Sequence, residues 1–104
     1  MKRVIHIDTK NRKITETEVE GLPGMQKLVG GRIECAGQLP NGDEVFVNEE
    51  GLFEDKAPFF DIGLHQPFAG NAFVIGPLDS RGNSTSVQSN VGMISLLVKW
   101  LGVP

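Results

Sequence analysis

The chain of 104 residues has one cysteine, one tryptophan and no tyrosine. The lone thiol, Cys35, closes no internal disulfide, and with only His6 and His65 there is no Cys/His array of zinc spacing. Long apolar runs are missing too. The most apolar stretch, Val91 to Leu101, is broken by Ser95 and Lys99 and falls short of the ~18 residues a membrane span needs. The N-terminal MKRVIHID lacks the apolar region of a secretory signal. Basic charge is not in excess: ten Lys+Arg against thirteen Asp+Glu leave a net charge of −3, which argues against a dedicated nucleic-acid binder. The basic residues Lys2, Arg3, Lys10, Arg12 and Lys13 read as charges around a turn, without interleaved aromatics for base stacking. Gly21-x-x-Gly24 leads to no Lys-Ser/Thr pair, Gly30-Gly31 precedes a strand, and no segment has the oxygen pattern of a calcium loop. These absences predict a reduced, soluble, cytoplasmic protein with no cofactor, metal or membrane partner.

What is present is an average globular composition, 39% apolar and 22% charged. A chain this size buries about two-thirds of its unfolded surface, enough for one core. A single domain over 1–104 is expected: an α+β core over 1–79, a small, polar flexible loop at 80–86 and a C-terminal helix at 87–101. Arg3 to Asp8 and Lys13 to Val19 both alternate with period two, so they read as a hairpin whose polar second strand lies at a sheet edge. Met25, Leu28 and Val29 share one face of a short helix, with Pro23 in its first turn and Gly30-Gly31 as its left-handed end. Arg32–Leu39 and Glu44–Asn48 form a second hairpin, with Asn41-Gly42 supplying a type I′ turn. Ala72–Ile75 reads as a buried central strand. The predicted architecture is an antiparallel sheet of about five strands, a short helix after the first hairpin and a longer C-terminal helix capped by Ser84, Thr85 or Ser86. The expected core includes Ile5, Ile7, Leu28, Val29, Ile33, Cys35, Val45, Val47, Phe73, Ile75, Ile94, Leu97 and Trp100.

Three segments carry a resemblance: Leu28-Val29-Gly30-Gly31-Arg32-Ile33-Glu34, Val47-Asn48-Glu49-Glu50-Gly51, and Gln66-Pro67-Phe68-Ala69-Gly70-Asn71-Ala72-Phe73-Val74-Ile75-Gly76. In order and spacing they resemble a family of small proteins of unknown function common in bacteriophages, plasmids and the bacteria that carry them. The resemblance spans Val4 to Asp79, while the tail from Ser80 matches no pattern of that family. It implies a mobile-element or prophage origin and cytoplasmic residence, and it brings no catalytic residues.

Chemically active side chains are few. His6 and Asp8 share a strand face, where the carboxylate could orient the imidazole. Cys35, with His6 or His65 as base, is a conceivable nucleophile, but its strand parity makes it a small core residue. Seven acidic residues and one basic one, Lys56, lie between Asp43 and Asp61, readable as a solvated rim, a surface for a basic partner or a mimic of nucleic-acid phosphates. A C-terminal helix over 87–101 has an apolar arc wider than one buried face requires. Either the loop from Leu52 to Phe68 covers its second face, or that face makes a homodimer.

The leading functional expectation is therefore a non-enzymatic accessory protein of a phage or mobile element that binds a host or element protein, with an anti-defence or regulatory task. The alternatives are a small-ligand module, with Phe59, Phe60 and Phe68 lining an apolar pocket and Arg32 or His65 fixing the polar end, and an enzyme of unrecognised type. The candidate partner or ligand surface comprises Glu49, Glu50, Glu54, Asp55, Phe59, Phe60, His65, Phe68, Met93, Leu96 and Trp100.

Overall fold

A computed structural model describes residues 1–51 and 57–103. Five strands make the main antiparallel sheet: β1 (Lys2–Asp8), β2 (Lys13–Val19), β3 (Ile33–Gln38), β4 (Glu44–Asn48) and β7 (Ala72–Ile75), in the order β2-β1-β7-β4-β3. The strand Ala72–Ile75 is central and the polar β2 is an edge, as the patterning predicts. A second sheet, β6-β5-β8, joins β5 (Phe59–Asp61), β6 (Phe68–Ala69) and β8 (Lys99–Gly102). Helix α1 (Gly21–Val29) follows the first hairpin and ends on Gly30 in the left-handed conformation; α2 (Val91–Leu97) lies near the C-terminus. The α+β class is thus established, and among the described residues no helix is long and apolar enough to cross a membrane.

Strand pairing fixes which residues share a face. Ile5, Val74 and Val45 lie in one row across β1, β7 and β4, and His6, Phe73, Phe46 and Cys35 occupy a neighbouring row. Successive rows point to opposite faces. On one face Ile5, Ile7, Val45, Val47 and Val74 pack with Phe60, Ile62, Phe68, Ile94 and Val98, placing the second sheet and α2 over it. On the other, Val4, Val19, Phe73 and Ile75 pack beneath Val29, Met25 and Leu28 of α1. The result is three layers around a sheet apolar on both sides.

Three expectations need correction. Cys35 is exposed. Its strand is an edge, and a bulge between Cys35 and Gly37 turns Ala36 into the core instead. The Asn41-Gly42 turn is not type I′, since Arg12 is the only described non-glycine residue with positive φ. Gly42 N donates to Leu39 O (2.9 Å) and Leu39 N to Asp43 O (2.7 Å), a three-residue loop with Pro40 leading and Gly42 at φ 97°. Replacing Gly42 by valine should lower stability by more than ~1 kcal/mol, read as a fall in the urea midpoint.

The third correction concerns the tail. The helix covers only Val91–Leu97, its cap is Asn90, whose side chain accepts from Met93 N (2.8 Å), and Val98 leaves in extended conformation. Trp100, expected on the helix, pairs with Phe60 in β8 and is half-buried, while Leu97 is exposed. Residues 80–86 form a loop without helix or strand, and its end is tied to the sheet: Gly76 N donates to Thr85 O (3.0 Å), Arg3 N to Ser86 Oγ (3.0 Å) and, just beyond, Val87 N to Arg3 O (2.8 Å).

Candidate functional site

The three segments that carry the resemblance meet at one end of the sheet. At the end of α1, Gly30 N and Gly31 N both donate to Gln26 O. Asn48, the last residue of β4, spans the gap from there: its Nδ2 donates to Val29 O (3.2 Å) and its Oδ1 accepts from Glu50 N (2.8 Å). The backbone at Gly51 then passes so near β6 that a Cβ would sit 2.6 Å from Ala69 O. In the third segment Gly70 N donates to Pro58 O (2.9 Å), and Asn71 Oδ1 accepts from Thr9 N (3.1 Å). That last bond draws the β1–β2 turn into the group.

Between these loops lies a cavity of about 290 Å³, lined among others by Asp8, Lys10, Asn11, Asn48, Gly70 and Asn71. Asp8 takes two bonds from Asn11, from its N (3.2 Å) and its Nδ2 (2.9 Å). Partial burial pulls the Asp8 carboxyl upward, but those bonds and the nearby His6 and Lys13 outweigh it and hold it below the usual carboxylate range. Asp8 is therefore an anion at neutral pH. His6 does not turn to Asp8; its Nε2 donates to Leu28 O (3.0 Å), fixing α1 on the sheet.

The predicted site residues are dispersed. Glu49 and Glu50 are exposed on the turn after β4, and Glu49 lines a second, small cleft with Glu34, Gln66 and Phe68. Glu54 and Asp55 lie outside the described residues, as does part of the loop expected to cover α2. Phe60 and Phe68 are buried in the core, ring centroids 6.3 Å apart, and of the two only Phe68 reaches that small cleft; Phe59 is half-buried in β5. His65 is exposed, its ring edge-on to Phe68 at 5.6 Å. An apolar groove of about 710 Å³ does exist, on the opposite face, floored by Leu22, Met25, Ile33 and Phe46 and rimmed by Lys2 and Asp79.

Met93, Leu96 and Leu97 sit at i, i+3 and i+4 on α2 and are all exposed, Leu96 to 89%. Leu101 and Val103 add exposed apolar surface on and just after β8.

Cys35 Sγ bonds to no histidine among the described residues; it reaches Gly37 O (3.9 Å) and Glu44 Oε2 (3.8 Å). His6 occupies the same row three strands away, about 14 Å at one strand spacing each. Burial, with Glu44 and Glu34 beside it, pushes the Cys35 thiol above its ordinary value. Among the described residues no group of three His, Cys, Asp or Glu side chains is placed to hold a metal ion.

Sequence reading missed the cavity residues Asp8, Lys10, Asn11 and Asn71 as a group. The available signal was the position of Asn71 within the third segment, and the pairing that brings it to Thr9 joins residues 62 apart.

The fold thus defines a small layered α+β protein whose motif-bearing loops close around a polar cavity. The chain belongs to a family described as a domain of unknown function, DUF3846, whose model matches residues 1–99. The family match therefore runs past Asp79 and includes the segment 80–86 and α2. No curated protein and no solved structure matches the chain.

Proposed function

We propose that this chain is a non-enzymatic accessory protein of a phage or mobile element that acts by binding a host or element protein, and that the exposed apolar side chains of α2 and β8 make it a homodimer. The observation that carries the reading is the exposure of Leu96 in line with Met93 and Leu97, with Leu101 and Val103 also exposed further along the chain. Monomers rarely leave contiguous apolar patches larger than a few hundred Å² to water.

A second copy is the occupant of this face. Two-fold pairing buries one patch against itself, and a stable interface covers about 800 Å² per partner. The edge position of β8 supports the same contact, because an edge strand leaves unpaired N–H and C=O groups available to another chain. Cytoplasmic residence and a role against host defence or in regulation follow from the mobile-element reading and stand or fall with it.

Leu96→Glu tests the surface. The position touches water, so the unfolding free energy of the monomer should change by no more than about 0.5 kcal/mol. A buried, unpaired carboxylate at a dimer contact should shift the protein to the monomer. A variant that elutes and scatters light as the parent does at every concentration would contradict the assignment of this face.

A further inference from the structure

We infer that the polar cavity where the three motif segments meet is a binding site for a free α-amino acid. The inference does not depend on the protein-binding reading, because among the described residues the cavity is lined by the loops at the ends of β1, α1, β4 and β6 and by Ala57 and Pro58 before β5, not by α2 or β8.

The cavity presents one fixed anion and one cation within a single small space. Asp8 is the anion. Its oxygens accept two bonds from Asn11, and a carboxylate has about four acceptor positions, so two remain for an ammonium group. The C-terminal end of α1, at Val29 and Gly30, also lines the cavity, and its carbonyl end favours positive charge. Lys10 is the cation; it is exposed and makes no ion pair among the described residues.

Two carboxamides are held in defined orientations between these charges. Asn71 receives Thr9 N at Oδ1, which leaves both N–H groups of its Nδ2 without a partner among the described residues. Asn48 gives one N–H to Val29 O and keeps the other. Lys10 with the Asn71 and Asn48 amides can accept a carboxylate, while Asp8 and the end of α1 accept an ammonium.

Charge disfavours other occupants. A volume of about 290 Å³ has room for an amino acid. A nucleotide's phosphates would face Asp8. A dicarboxylate would place one anion against Asp8, and a simple amine would leave Lys10 and two amides unanswered. An α-amino acid, with ammonium and carboxylate both carried by one carbon, offers one group to each kind of partner.

The test is a thermal-shift screen of the full chain with each standard amino acid, followed by calorimetry on any that responds. At least one should raise the midpoint in proportion to the logarithm of its concentration. Its N-acetyl derivative, lacking the ammonium, and its amide, lacking the carboxylate, should each bind about tenfold more weakly or worse, as expected for loss of a charged hydrogen bond. Lys10→Met, at an exposed turn position, should fold normally and reproduce the loss seen with the amide. Asp8→Asn should reproduce the loss seen with the N-acetyl derivative. A panel in which no amino acid shifts the midpoint would overturn the inference, as would an affinity that Lys10→Met leaves unchanged.

Discussion

Replacing Asp43 by alanine should lower the stability of this protein by about 3 kcal/mol or more, a large share of the 5–15 kcal/mol a domain of this size commands. Asp43 is fully buried, yet its carboxylate accepts five hydrogen bonds. Oδ2 accepts from Ser89 N (2.8 Å), Ser89 Oγ (2.5 Å) and Asn41 Nδ2 (3.3 Å), and Oδ1 from Gln88 N (3.0 Å) and Gln88 Nε2 (3.2 Å). The tail is held to the β3–β4 loop by these bonds, immediately before the Asn90 cap that starts α2. Truncation leaves buried donors without an acceptor, the costliest way to lose a hydrogen bond.

The same carboxylate sets part of the acid response. Burial raises its pKa, but the bonds from Ser89 and Gln88 outweigh that and hold it below the ordinary value. A carboxyl whose folded pKa is depressed contributes stability that is fully present above its unfolded pKa of about 3.9 and is lost as pH falls through the folded value. The parent should therefore lose stability steeply below about pH 4, and Asp43→Ala less steeply. Urea midpoints measured across that range check both statements; parallel curves for the two proteins would show that Asp43 does not contribute as an anion.

Gly76→Ala is the second large effect. Gly76 closes β7 beneath the segment 80–86, and a Cβ there would fall inside contact distance of Ser86 O and Thr85 Oγ1. Gly76 N also donates to Thr85 O, so the segment cannot lift without breaking that bond. Overpacking of this kind costs about 2–3 kcal/mol. Gly82→Ala is the comparison: Gly82 has φ 80° with open space around it, so backbone strain alone should cost about 1 kcal/mol. Equal urea midpoints for the two variants would show that the segment does not press on Gly76.

The main sheet was legible because its strands are long enough to alternate. Arg3 to Asp8, Lys13 to Val19 and Glu44 to Asn48 each span more than two periods, and Gly30 marks the end of α1 by chemistry no other residue shares. The second sheet was not legible. Phe59–Asp61 and Phe68–Ala69 have three and two residues, too few to show a period. β8 was read as helix because Val98 and Leu101 continue the apolar stripe of α2 at helical spacing. Pairing of Trp100 with Phe60 overrides that local preference.

The role of Asp43 was hidden for a different reason. An acidic residue after Asn-Gly reads as a solvent-exposed turn, and the groups that bury it arrive 45 and 46 residues later. The cavity was half legible: the three motif segments were found in the sequence, but only the topology places Asn48 and Asn71 at the same end of the sheet as Asp8.

The central claim is that the α2–β8 face binds a second copy of the chain. Light scattering coupled to gel filtration, run from micromolar concentration to the highest soluble concentration, tests it most directly. The account predicts a mass of twice the 11.3 kDa chain at the upper end, falling toward the single chain on dilution. A mass of one chain at every concentration would contradict it.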